Sequence, residues 1–194
     1  MKVRGALLER AMMTATAHCA GEGAFLPAWQ RYEGVVWKHL DPATLAASMR
    51  QRILVPSGLY GITTATDEIE DYRLTMNVAL APLGTVATFW RPFITEVIRS
   101  TRGPIVSFLP NEHLASIDLE NEALRRRITH VAFVQPGSAK AVGHDAKAVK
   151  GVLARAVLEG GIAALEGFTW AGWTSSFVDG AWRVVAPRTR QLGK

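Results

Sequence analysis

Cysteine is almost absent, with Cys19 the only one in 194 residues. One thiol excludes an intramolecular disulfide and any thiolate metal cluster built within one chain. It also fits a reducing compartment. Cys19 stands beside His18 in an alanine-rich, helix-like stretch, where a small buried residue and a nucleophile are the two readings. Long hydrophobic runs are missing as well. No segment reaches 18 uninterrupted apolar residues, so no membrane-spanning helix is expected. Lys2, Arg4 and Arg10 precede no apolar core, since Glu9 interrupts the stretch, and no signal peptide is read. His18, His39, His113, His130 and His144 show no H-E-x-x-H or related spacing, which argues against a zinc site. No repeat, heptad array or low-complexity tract is found.

What is present belongs to a folding chain. The apolar fraction is 48 %, and a chain of this size can bury roughly 70 % of its unfolded surface. The net charge is +5. It is uneven: residues 1–136 hold 14 basic and 13 acidic side chains, and residues 137–194 hold 8 and 4. The basic excess in the last third fits either a patch for phosphate-bearing partners or a solvated surface.

Apolar periodicity and turn signals predict a helix over 5–20, a second from Pro27 to about Leu40, and a third from Asp41-Pro42 to about Gln51. Residues 52–56 read as a strand, 57–61 as a turn and 62–84 as irregular. Residues 85–100 read as a helix kinked or split by Pro92. Strands follow at 104–109 and 128–135, then a helix at 145–159 and a hairpin over 173–186 around Asp179-Gly180. The expectation is one mixed α/β domain over 1–194, with a small mixed sheet, surrounding helices and a C-terminal hairpin.

The helix at 145–159 has the clearest chemistry. At about 100° per residue, Lys147, Lys150, Gly151 and Arg155 share one side, while Val149, Val152, Leu153 and Ala156 share the other. An interior glycine costs about 1 kcal/mol against alanine, which marks close approach by another backbone or by a ligand. Asp145 suits the N-cap, and His144 just before it is placed for anion binding or proton transfer. An anion-binding face and a solvated basic face are the two readings.

Ser57-Gly-Leu-Tyr-Gly61 follows a strand, placing Ser57 and Tyr60 at its carboxyl end, where ligands often sit in α/β proteins. It matches neither a P-loop nor a nucleophile elbow, and a tight turn is its plainer meaning. Asp67, Tyr72 and Arg73 either face a ligand or brace a loop through an Asp67–Arg73 pair. Asn111-Glu112-His113 offers an acid and an imidazole for proton transfer, or a loop cap. Arg125-Arg-Arg127 reads as a solvated edge. The six tryptophans are too scattered for a stacking platform and suggest packing.

In this order the blocks resemble the YaaA-like peroxide-stress family. The blocks are Arg31-Tyr32-Glu33-Gly34-Val-Val-Trp37, Leu54-Val-Pro-Ser57-Gly58-Leu59-Tyr60-Gly61, and Asp67 with Asp71-Tyr72-Arg73-Leu74-x-Met76. Phe89-Trp90, Asn111-Glu112 and His144-x-x-Lys147-x-x-Lys150-Gly151-x-x-x-Arg155 complete the set. The resemblance covers about 27–188, and the ordered set is more specific than any member. It implies a cytoplasmic protein of the oxidative-stress response, linked to limiting free iron, that binds DNA in a positively charged cleft. Ser57, Tyr60, Asp67, Tyr72, Arg73, Asn111, His144, Lys147, Lys150, Gly151 and Arg155 are then the binding candidates. Family members begin with a further strand and helical region, to which a helix-hairpin-helix element is attributed; Leu80–Ala87 resembles such a hairpin only loosely. Pro110 and His113 also depart from the family pattern around Asn111-Glu112. The alternative function is an enzyme acting on a nucleotide or other small anion, with Tyr60, Glu112 or His144 moving protons. The cofactor and the oligomeric state stay open.

Overall fold

A computed structural model describes residues 24–137 and 146–187; the helix expected over 5–20, Cys19 and His144 lie outside them. The described residues form seven α-helices, two 3-10 turns and eleven strands, the mixed α/β class expected. They gather into two compact units. One comprises residues up to Tyr32 with Leu45–Arg102 and Leu109–Leu124; the other comprises Glu33–Thr44, Gly103–Phe108 and Arg125 onward.

The first unit is built from short strand pairs and one long helix. Strand β1 (Leu26–Pro27) pairs antiparallel with β4 (Glu68–Ile69), and helix α1 (Ala28–Arg31) follows β1 directly. The single helix expected from Pro27 to Leu40 breaks after α1. Gly34, at φ 112°, holds a backbone conformation open to glycine but not to a helix. The third expected helix is likewise divided, into a 3-10 turn at Pro42–Thr44 and α3 (Ala47–Arg50). Strands β2 (Leu54–Ser57) and β3 (Gly61–Thr64) form a hairpin.

The stretch expected to be irregular, 62–84, is mostly turn and irregular structure but includes short strand pairs. Besides β3 and β4 it contains β5 (Ala79–Leu80) and β6 (Gly84–Thr85). Pairs this short leave no readable alternation, because their register is set by tertiary partners. Leu80 to Ala87 is therefore a β-hairpin entering a helix, not a helix-hairpin-helix. Helix α4 (Val86–Ser100) starts at Thr85, whose hydroxyl accepts the Thr88 N–H at 3.1 Å. Pro92 lies within α4 and does not split it. Its ring is on the exposed side, and the helix loses only the hydrogen bond to the Thr88 carbonyl. Val86, Ala87, Ile94 and Ile98 are buried. Two one-turn helices, α5 (Asn111–Leu114) and α6 (Glu122–Arg125), complete the helices of this stretch.

The second unit carries a five-stranded mixed sheet in the order β7-β8-β11-β10-β9. Strand β7 (Ile105–Ser107) runs parallel to β8 (Ile128–Val134), which runs parallel to β11 (Ala181–Val185). Strand β10 (Trp173–Val178) is antiparallel to both β11 and β9 (Thr169–Trp170). Asp179 and Gly180 turn the β10–β11 hairpin, both at positive φ as a tight two-residue turn requires. Helix α7 (Ala146–Gly160) lays Ala146, Val149 and Leu153 against Val131, Phe133, Trp173 and Val184 of the sheet. Alternation along β8 sends Val131 and Phe133 to that face. Helix α2 (Val35–Leu40) packs on α7 at Gly151.

Candidate functional site

Within the first unit, the Ser57–Gly61 turn closes a hydrogen-bonded set of hydroxyls. Ser57 is buried, and its Oγ lies 2.6 Å from the Tyr72 hydroxyl and accepts the Tyr60 N–H at 3.0 Å. The Tyr72 hydroxyl is 2.8 Å from that of Tyr32. Tyr60 donates its hydroxyl to Glu70 Oε2 at 3.2 Å and accepts the Glu70 N–H at 3.1 Å. The rings of Tyr32 and Tyr60 both meet Tyr72 edge-on. Burial is the largest effect raising the Tyr72 phenol above its ordinary value of 10; the Ser57 bond opposes it and Tyr32 adds to it. Burial also raises Tyr60. Both phenols therefore stay protonated at neutral pH and act as donors, not bases.

Two glycines make this turn possible. A side chain on Gly58 would meet the Leu74 carbonyl oxygen at less than contact distance. Gly61 has φ +76°, and a Cβ there would lie 2.7 Å from the Trp90 ring. Trp90 in turn donates its indole N–H to the Gly58 carbonyl at 2.8 Å. The separate blocks at 57–61, 72–76 and 89–90 are thus one packed structure.

The remaining candidates of the first unit divide. Asp67 closes its own turn, with its carboxylate accepting the Thr64 N–H and Thr64 hydroxyl, each at 2.7 Å. The Asp67–Arg73 brace is not formed. Arg73 is exposed, with no hydrogen bond or ion pair among the described residues. Asn111 and Glu112 are exposed at the start of α5, and Glu112 lies 3.9 Å from His113 Nδ1.

In the second unit, α7 uses its residues unequally. A Cβ on Gly151 would lie 2.7 Å from His39 Cβ and 2.9 Å from Leu40 N, and closer still to the Val36 carbonyl oxygen. The glycine admits the backbone of α2. Arg155 reaches the C-terminal end of α2, donating to the Leu40 and Asp41 carbonyls at 3.2 Å and to Thr44 Oγ1 at 2.8 Å. Its Nε pairs with Glu159 at 3.0 Å. The Leu40 carbonyl ends α2 with no helical donor beyond it, so the guanidinium satisfies it well, while the Asp41 carbonyl also accepts the Thr44 N–H and hydroxyl. Lys150 sets its ammonium 4.9 Å from the centre of the Phe133 ring. Lys147 is exposed, without hydrogen bond or ion pair among the described residues.

The structure also brings in residues that sequence reasoning left out of the site. Tyr32 and Glu70 complete the hydroxyl set; Tyr32 stood in a block already noticed, and only the fold shows which phenol meets which carboxylate. His130 lies 3.4 Å from Ser107 Oγ, and burial, then the nearby Lys150 charge, lowers its pKa from 6.5. Among the described residues no group of three or more acidic, histidine or cysteine side chains is placed to hold a metal.

The fold defines a mixed α/β protein in which the recognised blocks that fall among the described residues have a place. A family model described as peroxide stress protein YaaA matches residues 1–176, and the chain belongs to that family. It is 34 % identical over 143 residues to a UPF0246 protein of Streptomyces coelicolor, covering 71 % of this chain and 55 % of the relative. It is 36 % identical over 161 residues to a UPF0246 protein of a Ruegeria species, covering 73 % and 62 %. A UPF0246 protein of Bacteroides thetaiotaomicron is 28 % identical over 163 residues, covering 76 % and 63 %. The chain thus spans little more than half the length of these curated relatives. No helix among the described residues is long and apolar enough to cross a membrane.

Proposed function

We propose that the protein acts in the cytoplasmic response to peroxide by binding a phosphate-bearing ligand, DNA foremost, through the first two turns of α7. One observation carries the reading: Lys147 is exposed with its ammonium unpaired among the described residues. Lys150 follows one turn later on the same side of the helix. The positive end of the helix dipole adds to their field. Arg155 is committed to the carbonyls of α2 and Gly151 to its backbone, so the proposed grip narrows to the two lysines.

The enzymatic alternative draws little from the hydroxyl set. A nucleophilic Ser57 needs a base within hydrogen-bond reach, and its neighbour is instead a phenol that holds its proton. The hydroxyls serve best as an internal brace.

Fluorescence anisotropy of labelled duplex, junction and single-stranded DNA at two salt concentrations tests the proposal. Phosphate contacts predict affinity falling with salt at a log–log slope of about −0.9 per phosphate neutralised on duplex. Lys147→Ala with Lys150→Ala should lower both affinity and slope. Binding unaffected by salt, or by the double substitution, would refute the phosphate grip.

A further inference from the structure

Helix α4 holds the chain that follows α5 at two points and leaves a cleft between them. Arg91 donates its Nε–H to the Ala115 carbonyl at 2.8 Å, and the Thr95 hydroxyl accepts the Asp118 N–H at 2.9 Å. Asp118 Oδ1 in turn accepts the Glu120 N–H at 3.1 Å. The resulting cleft measures about 380 Å³ and is lined by Arg91, Asp118 and Glu120 together with Leu114, Ile117 and Leu119. All of these residues belong to the first unit.

The charges in the cleft do not satisfy one another. The terminal nitrogens of Arg91, the second oxygen of Asp118 and the Glu120 carboxylate make no hydrogen bond or ion pair among the described residues. The anchors account for the gap. Nε fixes the guanidinium against Ala115, while Asp118 is fixed at Thr95, one turn or about 5.4 Å further along α4. That spacing exceeds the reach of a direct ion pair, about 4 Å.

We propose that this cleft binds a free α-amino acid with a cationic side chain, arginine or lysine. Its carboxylate meets the two Nη groups at the end of the Arg91 guanidinium, a bidentate match. Its α-ammonium, one carbon away, meets the open oxygen of Asp118. The side-chain cation meets Glu120, and the methylene stem lies along Leu114, Ile117 and Leu119. Charge selects this class of ligand. One guanidinium against two carboxylates leaves a single negative charge in excess, which the net positive charge of a basic amino acid neutralises. A simple anion would face both carboxylates, and a simple cation would leave the guanidinium unmatched. The site is independent of the phosphate grip on α7.

Amide spectra of the nitrogen-15-labelled whole chain, titrated with L-arginine and L-lysine at constant pH and ionic strength, test the proposal. The charged groups are open to water, so saturation in the millimolar range is expected, centred on the amides of residues 115–120. Agmatine lacks the carboxylate and Nα-acetylarginine lacks the ammonium, and each should bind at least about fivefold more weakly than L-arginine. Arg91 also anchors the Ala115 carbonyl, so the decisive variant is Glu120→Gln, whose carboxylate holds no other described group. It should weaken L-arginine by about threefold or more and leave the thermal unfolding curve unchanged. No saturable shift at these residues by about 50 mM overturns the proposal. So does a shift that agmatine reproduces at equal strength, or one that Glu120→Gln leaves as it was.

Discussion

The Ser57–Gly61 turn of the first unit and helix α7 of the second use their polar residues differently. In the turn, Ser57, Tyr60 and Tyr72 bond to one another or to Tyr32 and Glu70, and the Gly58 carbonyl takes the Trp90 indole. In α7, Arg155 is spent on α2, while Lys147 keeps its charge toward solvent. A polar side chain whose partners are all internal holds the fold; one with none is available to a ligand. The comparison predicts large stability effects and little direct binding effect at the turn, with the reverse at Lys147.

The hardest test falls on the glycines. Glycine to alanine inside a helix ordinarily stabilises by about 1 kcal/mol. Gly151→Ala should instead destabilise by about 2 kcal/mol or more, since the added methyl meets the backbone of α2. Gly58→Ala should cost a similar amount against the Leu74 carbonyl. Urea unfolding measures both, and a stabilised Gly151→Ala would break the claim that α2 sits against it.

Ser57→Ala should cost about 1–3 kcal/mol, because a half-buried phenol loses a partner in a set that is otherwise satisfied. Tyr72 adds a pH signature. Its folded value is raised, so its stabilising contribution is complete below about pH 10 and fades as pH climbs through the folded value. Tyr72→Phe should flatten that alkaline limb in a pH series of thermal melts.

Arg155→Met should loosen the end of α2 by about 1–2 kcal/mol, and Arg155→Lys should restore only part, since one ammonium cannot reach the two carbonyls and hold Glu159 as the separate guanidinium nitrogens do. Hydrogen exchange at the α2 amides reads this locally.

A smaller effect is expected at His130. Its folded value is lowered, so its contribution is present above about pH 6.5 and is lost as pH falls toward the folded value. His130→Gln should remove that slope. Lys147→Ala should change stability by less than about 0.5 kcal/mol while weakening ligand binding. If it instead destabilised the fold, the contrast between the two regions would fail.

The long elements were legible because their patterns run over many residues. The α7 helix, strand β8 and the β10–β11 hairpin all fall within a residue or two of their expected limits. The short strand pairs within 62–84 were not, since ladders of two to four residues carry no readable period. The break at Gly34 was hidden because helical residues flank it on both sides. For the site, the recognised blocks named Ser57, Tyr60 and Tyr72 without showing that they face one another. The helical wheel put Gly151 beside the lysines correctly, but angle alone does not tell a ligand from a neighbouring helix. Arg155 was ambiguous for the same reason.

The position of β11 bears on how the chain assembles. It is the last described strand in sequence, yet it stands in the middle of the five-stranded sheet, between β8 and β10. Strand β8 can pair with β7 as soon as both exist, but its other edge stays open until β11 arrives. Helix α2 likewise waits for Arg155, 115 residues beyond Leu40. Because such distant closures are slow, the second unit should become protease-resistant late during synthesis on the ribosome. Residues 45–102 hold their own hairpins and α4, so they have the means to order while the rest is still emerging.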